Sequence, residues 1–570
     1  MSQPVMNRPK QHEQPPQQRR KPARAPKAPK RDTSKDGFEN KVEVWALTHG
    51  GWLWRALQKS PLEGFANRLI VNSGIDKVQP RPYRLSTKAD YASWDTLTDK
   101  TYHSRSIPKG GTRDLPEVSE VAKLFLRDEE ITCEKSTVLF AYVAQWFTDG
   151  FLRSKRGLED DGLRDITRNE STHEVDLAQL YGVRPETTAA LRTPAELGDG
   201  LLRWQTLGGE EFPEFLCHGA QIRPEFCDAK GDPIEGLRPL RFASTEDKPQ
   251  MRARLFAMGS DSSNLQVGYA MLNVLFLREH NRIARELAET YPERWPADPA
   301  ARSDQLFGTA RNILTVLLIK LVIEEYINHI TPYHFKFRMD PHAFRTVDWM
   351  RPNWVAVEFN LLYRWHSLIP SEFLIGEERL PLQETLLRMD LLIDHGLGQT
   401  FESSSEQPAG RVGLFNTDPW LLKAADVPSI GQGRKVSLDR YNAYREYCKY
   451  PKVTSFDQIT SDQQVRDGLR ELYGHVDNIE LYVGLFAEDR RLNSVLPPMI
   501  GRLVGVHAFS QLMTNPLLAP GVYDHPDTFT ELGRQTIATT TSLDQLLNRN
   551  VPAGSRHYDA RLTRRDWVRR

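Results

Sequence analysis

Cysteine is scarce in this chain, and the few present lie far apart. Cys133, Cys217, Cys227 and Cys448 include no CxxC pair. That leaves neither a disulfide framework nor a zinc-ligand spacing, and it predicts a reducing compartment. Net charge is lacking too: 75 Lys and Arg balance 75 Asp and Glu, so no bulk field argues for nucleic acid as a partner. No apolar stretch stands near the N-terminus, so no secretory signal is expected. The most apolar run, Ile313 to Ile323, is interrupted by Lys320 and falls short of the roughly 20 residues a membrane span needs. Alternating strand runs are few and short, and no internal repeat shows. These absences predict a mainly α, cytoplasmic protein with at most a peripheral hold on a membrane.

What is there divides the chain into three parts. Residues 1–36 carry ten Lys or Arg against three acids, with many Pro and Gln and almost no large apolar residue. Such a segment cannot bury a core and is expected to be disordered. It reads either as a solvated basic tail or as one drawn to anionic lipid. Residues 37–80 change character: Trp45, Trp52, Leu53, Trp54, Phe65, Leu69 and Ile70 alternate with Arg55, Lys59 and Arg68. Short amphipathic helices broken at Gly50-Gly51 and Pro61 fit this pattern. Between residues 42 and 71 they suit a membrane interface and the protein's own core equally well. After a linker at Gln79 to Tyr83, residues 81–570 form one large domain. Its helical patterning covers Pro116 to Leu126, Ser136 to Leu152, Leu265 to Tyr291, Ser303 to Ile330, Trp354 to His366 and Asp462 to Tyr473.

The segment Glu358-Phe359-Asn360-Leu361-Leu362-Tyr363-Arg364-Trp365-His366 holds the most chemistry. It has no helix breaker before Pro370. On a helix, its spacing sets Tyr363 and His366 on one face, a turn apart. Neutral imidazole is a strong metal ligand and suits a haem iron, and a phenol nearby can carry an oxidising equivalent. Taken alone, such a pair is more often plain packing.

Its company changes that reading. LREHNR spans Leu277 to Arg282, Tyr326 and Tyr333 stand in EEYINHITPYHFKF, and Leu472-Tyr473-Gly474 precedes IELYVGLFAED. Upstream lie Asp90-Tyr91-Ala92-Ser93-Trp94 and Val143-Ala144-Gln145-Trp146-Phe147-Thr148-Asp149. In this order the motifs resemble the animal-type haem peroxidase superfamily, and within it the cyclooxygenases, with the look of a bacterial-type member. The likeness runs from about Ala46 to Asn550 and lacks the epidermal-growth-factor module of the animal enzymes. LREHNR alone marks only the superfamily; EFNLLYRWHSLIP with its two upstream tyrosines is more specific. The resemblance implies a single large helical catalytic domain behind membrane-binding helices. It implies haem b held without covalent links, since Leu265, Gln266 and Ser262 fall where other members carry linking groups and an arginine. His366 would be the axial ligand, Tyr363 the radical tyrosine, Tyr326 its hydrogen-bond partner and Gln145 the distal glutamine. Tyr333 would stand at the mouth of a fatty-acid channel lined by Phe359, Leu362, Trp365 and Leu512. His280 and Arg278 would be structural. A homodimer is implied by the same likeness.

Three departures qualify it. Asp149 stands where the family has its distal histidine, and a carboxylate there can move peroxide protons only with a pKa raised by burial. Gly150 offers no side-chain oxygen where peroxidases bind calcium, so no calcium is expected. The carboxylate-anchoring arginine is missing from Val71 to Lys77, leaving Lys77 or Arg81 as substitutes, and the acetylated serine of that family falls on Ser510 or Ala508. The expected function is a haem-dependent fatty-acid dioxygenase that uses Tyr363 and O2. Two others stay open: a peroxide-driven peroxidase or peroxygenase working through Asp149, and a degenerate protein that only binds haem or lipid.

Overall fold

The computed structural model describes residues 42, 45–75, 101–341 and 354–569, apart from 104, 112–114, 156–164, 220 and 239–248. The basic tail, the linker at Gln79 to Tyr83, the Asp90–Trp94 motif, Lys77 and Arg81 therefore lie outside the described residues.

Two short helices come first, α1 (Gly51–Gln58) and α2 (Glu63–Ile75), with the breaks where Gly50-Gly51 and Pro61 place them. Gly50 makes the first break at φ 67°, a conformation glycine adopts without steric cost. The helices dock on the segment after Tyr333. Asn67 donates to the Arg338 carbonyl at 3.0 Å, Gln58 donates to that of Lys336 at 3.0 Å, and Arg68 pairs with Asp340 at 3.0 Å. Trp52, Leu53, Leu62, Phe65 and Leu69 stay exposed.

The catalytic-sized body is helical. Its centre is built from α3 (Val138–Asp149), α4 (Val267–Thr290) and α5 (Pro299–Leu321). Helix α3 is apolar on nearly every side, and α4 is buried without interruption from Val267 to Asn281, because neighbouring elements enclose them. Their close crossing depends on Gly268, where any Cβ would run into the Tyr142 ring. Asp298 starts α5 by accepting from the Ala301 amide at 2.9 Å, with Pro299 in the first turn. The rod then loosens into a π-helical turn, Val322–Ile327, before ending at Ile330. From Pro299 to Ile330 it is long and apolar enough to cross a membrane, yet 78% of its apolar window is buried inside the protein. It is a core element.

A single turn, α6 (Phe359–Leu362), follows, then α7 (Met389–Glu406), α8 (Pro498–Met513) and α9 (Pro526–Thr539). Helix α9 packs on α5, and α6 sits against α8. Strands occur among the described residues only as two-stranded antiparallel pairs, such as Trp204–Leu207 with Glu210–Pro213. One hydrophobic cluster runs from Leu47 to Leu562 and joins the docked α1–α2 unit to the body.

The continuous helix expected over Trp354 to His366 does not form. After α6 the backbone leaves helical geometry at Tyr363 (φ −98°, ψ 18°) and Trp365 (φ −87°, ψ 50°), and His366 opens a separate 3-10 turn, His366–Leu368. Tyr363 and His366 are thus not one turn apart on one helix face. Tertiary partners impose the break. Asn360 is held by Ser154 (2.7 Å) and His103 (3.1 Å), while His366 is held from another element entirely.

Candidate active site

The broken turn sends Tyr363 and Trp365 into one aromatic cluster and His366 toward a buried carboxylate. Tyr363 stacks on Trp365 with ring centroids 4.6 Å apart and meets Phe359 edge-on at 5.0 Å. Phe140 of α3 stacks on both Trp365 (6.1 Å) and Tyr326 (5.3 Å). An aromatic cluster therefore joins α3, the π-helical turn and α6. The Tyr326 and Tyr363 hydroxyls fall within mutual electrostatic reach, though neither is aligned as a formed hydrogen bond. Burial raises the pKa of both. The Tyr363 charge adds to the effect on Tyr326, while the Tyr326 hydroxyl partly offsets it for Tyr363. Both phenols are neutral at rest, so losing an electron from either means losing its proton as well.

His366 is fixed from behind. Its Nδ1 lies 3.1 Å from Oδ1 of Asp426, a fully buried carboxylate at the end of a second π-helical turn, Leu422–Asp426. The Tyr482 hydroxyl donates to the same oxygen at 2.6 Å. A carboxylate only accepts, so Nδ1 carries the proton and Nε2 keeps its lone pair. No described residue partners Nε2. That is what an axial ligand requires: one nitrogen oriented by a carboxylate, the other open.

Arg364, next in the chain to Tyr363, donates from Nε to the Asn360 carbonyl at 3.1 Å. Burial works against its charge, while Tyr482, Asp426 and Asp149 all favour it electrostatically. One guanidinium thus feels the carboxylate behind His366 and the carboxylate at the end of α3. Gln145 and Asp149, four residues apart on α3, share one face of that helix.

Asp149 is bound more tightly than its sequence position suggests. Its Oδ2 accepts from the Tyr269 hydroxyl at 2.6 Å, from Ser260 at 3.1 Å and from Arg153 at 3.4 Å. Arg153 also pairs with Asp261 at 3.0 Å. Burial, then the Asp149 charge, raises the Tyr269 phenol well above its ordinary range. Beside it, a Cβ on Gly150 would displace the amide end of the Gln179 side chain.

Phe359, Leu362, Trp365 and Leu512 are all buried, and the first and third touch Tyr363. Tyr333 lies elsewhere, in the wall of an apolar cavity between α2, the segment ending at Ile330, and α8. The cavity reaches Ile327, next to Tyr326. His280 is a core residue, fully buried between the Tyr181 hydroxyl (2.8 Å) and the Gly200 carbonyl (3.1 Å), with its pKa lowered by burial to about 3. Arg278 is tied to Glu210 at 2.8 Å and to the Asn550 carbonyl at 3.0 Å. Asp426, Tyr482 and Arg364 escaped the sequence reading. Asp426 has no local signature, standing in a short Ala-Ala-Asp-Val-Pro stretch. Arg364 was in view only as a spacer between Tyr363 and His366.

Comparison with known proteins converges on one group. The profile of the family described as Animal haem peroxidase matches residues 150–560. Prostaglandin G/H synthase 1 from Mus musculus is 30% identical over 518 residues, covering 89% of this chain and 80% of that protein. Prostaglandin G/H synthase 2 from the same animal is 31% identical over 525 residues, with the same coverage. Among solved structures, the fatty acid alpha-dioxygenase of Oryza sativa superposes with a TM-score of 0.65 over 91% of this chain and 95% of that one, at 17% identity. Peroxidase A from Dictyostelium discoideum gives 0.61 over 80% and 92%, also at 17% identity.

Proposed function

Since the chain belongs to the animal haem peroxidase family and is a haem-dependent oxidoreductase, we propose that it oxygenates fatty acids with O2 through a radical on Tyr363. The observation that carries this reading is the pairing of an oriented, open-sided His366 with a neutral, aromatic-clad Tyr363 three residues away. Haem bound at His366 supplies the one-electron oxidation that the phenol needs. No carboxylate or methionine stands at Leu265 or Gln266 to link it, so the reading is of haem b held without covalent bonds.

The residues then divide the work. Asp426 keeps Nδ1 of His366 protonated and its ring in one orientation. Tyr363, once oxidised, takes a hydrogen atom from an acyl C–H, and O2 adds to the carbon radical. The resulting peroxyl recovers its hydrogen from the Tyr363 phenol, so substrate and O2 become a hydroperoxide and the tyrosyl radical returns. Tyr326 faces Tyr363, and its hydroxyl is the group that would donate a hydrogen bond to the Tyr363 radical, which has no proton left to give. The surrounding aromatic rings keep water away from the radicals. The exposed apolar face of α1 and α2 supports membrane contact, through which an acyl chain would arrive.

A peroxide-driven reaction through Asp149 is the second reading. Three donors on Asp149 Oδ2 support a fixed carboxylate rather than a shuttling one, which favours the dioxygenase. The test is oxygen consumption by haem-loaded protein on a panel of free fatty acids, with isotope-labelled O2. Tyr363→Phe abolishes uptake while the Soret band of bound haem persists. A variant that still oxygenates at the full rate removes Tyr363 from the reaction. Product oxygen traced to peroxide instead establishes the second reading.

A further inference from the structure

The apolar cavity that holds Tyr333 has one polar end. Ile70, Val71, Ile327, Ile330, Val504 and Phe509 contribute its apolar walls. Among the described residues lining it, the charged ones are Arg491 and Arg502, and no acidic side chain joins them. Both guanidinium groups converge on Tyr450. Arg491 donates to its hydroxyl at 3.4 Å, Arg502 lies within electrostatic reach of it, and the two groups lie 5.9 and 5.6 Å from its ring. No described carboxylate forms an ion pair with Arg491. Tyr333 completes the group from the far wall, within electrostatic reach of Arg502.

We propose that Arg502, supported by Arg491, Tyr450 and Tyr333, anchors the carboxylate of the acyl substrate. The proposal rests on the fatty-acid reading above and says which residue holds the acid end. A guanidinium beside an apolar space is costly to desolvate, and an apolar ligand does nothing to offset that. A carboxylate does, because it matches the guanidinium fork with two charge-assisted hydrogen bonds while phenols donate to its remaining lone pairs. The chain attached to it has one apolar direction to follow. Along α8, Arg502 precedes Phe509 by seven residues, roughly 10 Å of helix. Between them His507 stacks on Phe359 at 5.0 Å, and Phe359 meets Tyr363. The cavity wall at Ile327 adjoins Tyr326. An acid held at Arg502 therefore points its chain toward the two tyrosines. The arginine expected from the α2 side is replaced by one from the opposite wall, on α8.

The test compares linoleate with methyl linoleate on haem-loaded wild type, Arg502→Gln and Arg502→Lys. Wild type prefers the acid by kcat/KM. In Arg502→Gln that preference falls at least tenfold, through KM more than kcat. Arg502→Lys retains part of it, because charge survives while the two-pronged contact is lost, and it carries the test if Arg502→Gln fails to retain haem. An unchanged acid preference in both variants overturns the anchor and leaves the dioxygenase reading standing. Wild type that oxidises a phenolic substrate with peroxide yet neither binds nor oxygenates either lipid overturns both.

Discussion

Nδ1 of His366 and Oδ1 of Asp426 lie 3.1 Å apart although the two residues are sixty positions apart in the chain. The contact sets which imidazole nitrogen is open and how the ring faces. Removing an orienting partner of this kind typically lowers metal affinity about 10–100-fold. Asp426→Ala should therefore weaken haem binding by that factor in a Soret titration. Asp426→Asn keeps an acceptor but loses the charge, so it should retain haem better and raise its reduction potential. Equal affinity and equal potential in both variants would mean that the carboxylate serves packing alone.

Asp149 makes a different kind of prediction. It collects Tyr269, Ser260 and Arg153 on one oxygen, and the Arg153 side chain is only 10% exposed. Asp149→Ala leaves buried donors unsatisfied and should cost about 1–3 kcal/mol in urea unfolding. Arg153 keeps Asp261, which holds the loss below that of stranding a buried charge outright. Asp149→His should show a similar loss together with faster peroxide-dependent oxidation of a phenol. A histidine variant with wild-type stability and no gain in peroxide turnover would remove Asp149 from both roles.

How much of this could be read from the residues depends on distance. The helices α4 and α5 were legible because their apolar positions run without a breaker for more than twenty residues. The α1–α2 pair was legible from Gly50, Gly51 and Pro61. The segment from Trp354 to His366 has helix-compatible residues throughout, yet Asn360 and His366 are claimed by side chains from Ser154, His103 and Asp426. No local pattern encodes such partners, so the turn at Tyr363 was missed. Likewise the helical geometry expected of the Tyr363–His366 pair is lost, because His366 opens a separate turn. Arg502 had a faint signal, a lone cation in the apolar stretch from Met499 to Met513.

Buried histidines make the fold acid-sensitive. Burial, joined for His103 by the neighbouring His173, holds His103 and His280 down at about 3, and burial followed by Lys135 pushes His329 well below its ordinary value. In the unfolded chain each titrates near 6.5. Below that pH the unfolded state binds protons that the folded state refuses. The stability these groups contribute is thus complete above pH 6.5 and is lost as pH falls toward 3. Each one accounts for up to about 1.4 kcal/mol per pH unit. Urea midpoints should fall steeply between pH 6.5 and 5, and His280→Asn should flatten the slope by about that amount. An equally steep slope in this variant would mean that His280 protonates freely in the folded state.

The outer face of α1 and α2 yields the last prediction. Trp52 is 72% exposed and Phe65 63%, with Leu53, Leu62 and Leu69 beside them, while Leu47, Ala66 and Val71 are buried against the body. Inward contacts hold the helices in place, so the outward side chains are not needed for folding. Burying a large apolar side chain is worth about 1.5–3 kcal/mol, and at a lipid interface the same gain drives partition. The double variant Trp52→Ser, Phe65→Ser should therefore lose at least tenfold in co-sedimentation with phosphatidylcholine vesicles and keep its unfolding midpoint. Its kcat/KM should drop for long-chain acids delivered in vesicles and hold for acids delivered in detergent, since only the first route depends on docking. Wild type that leaves vesicles unbound would assign this face to some other partner.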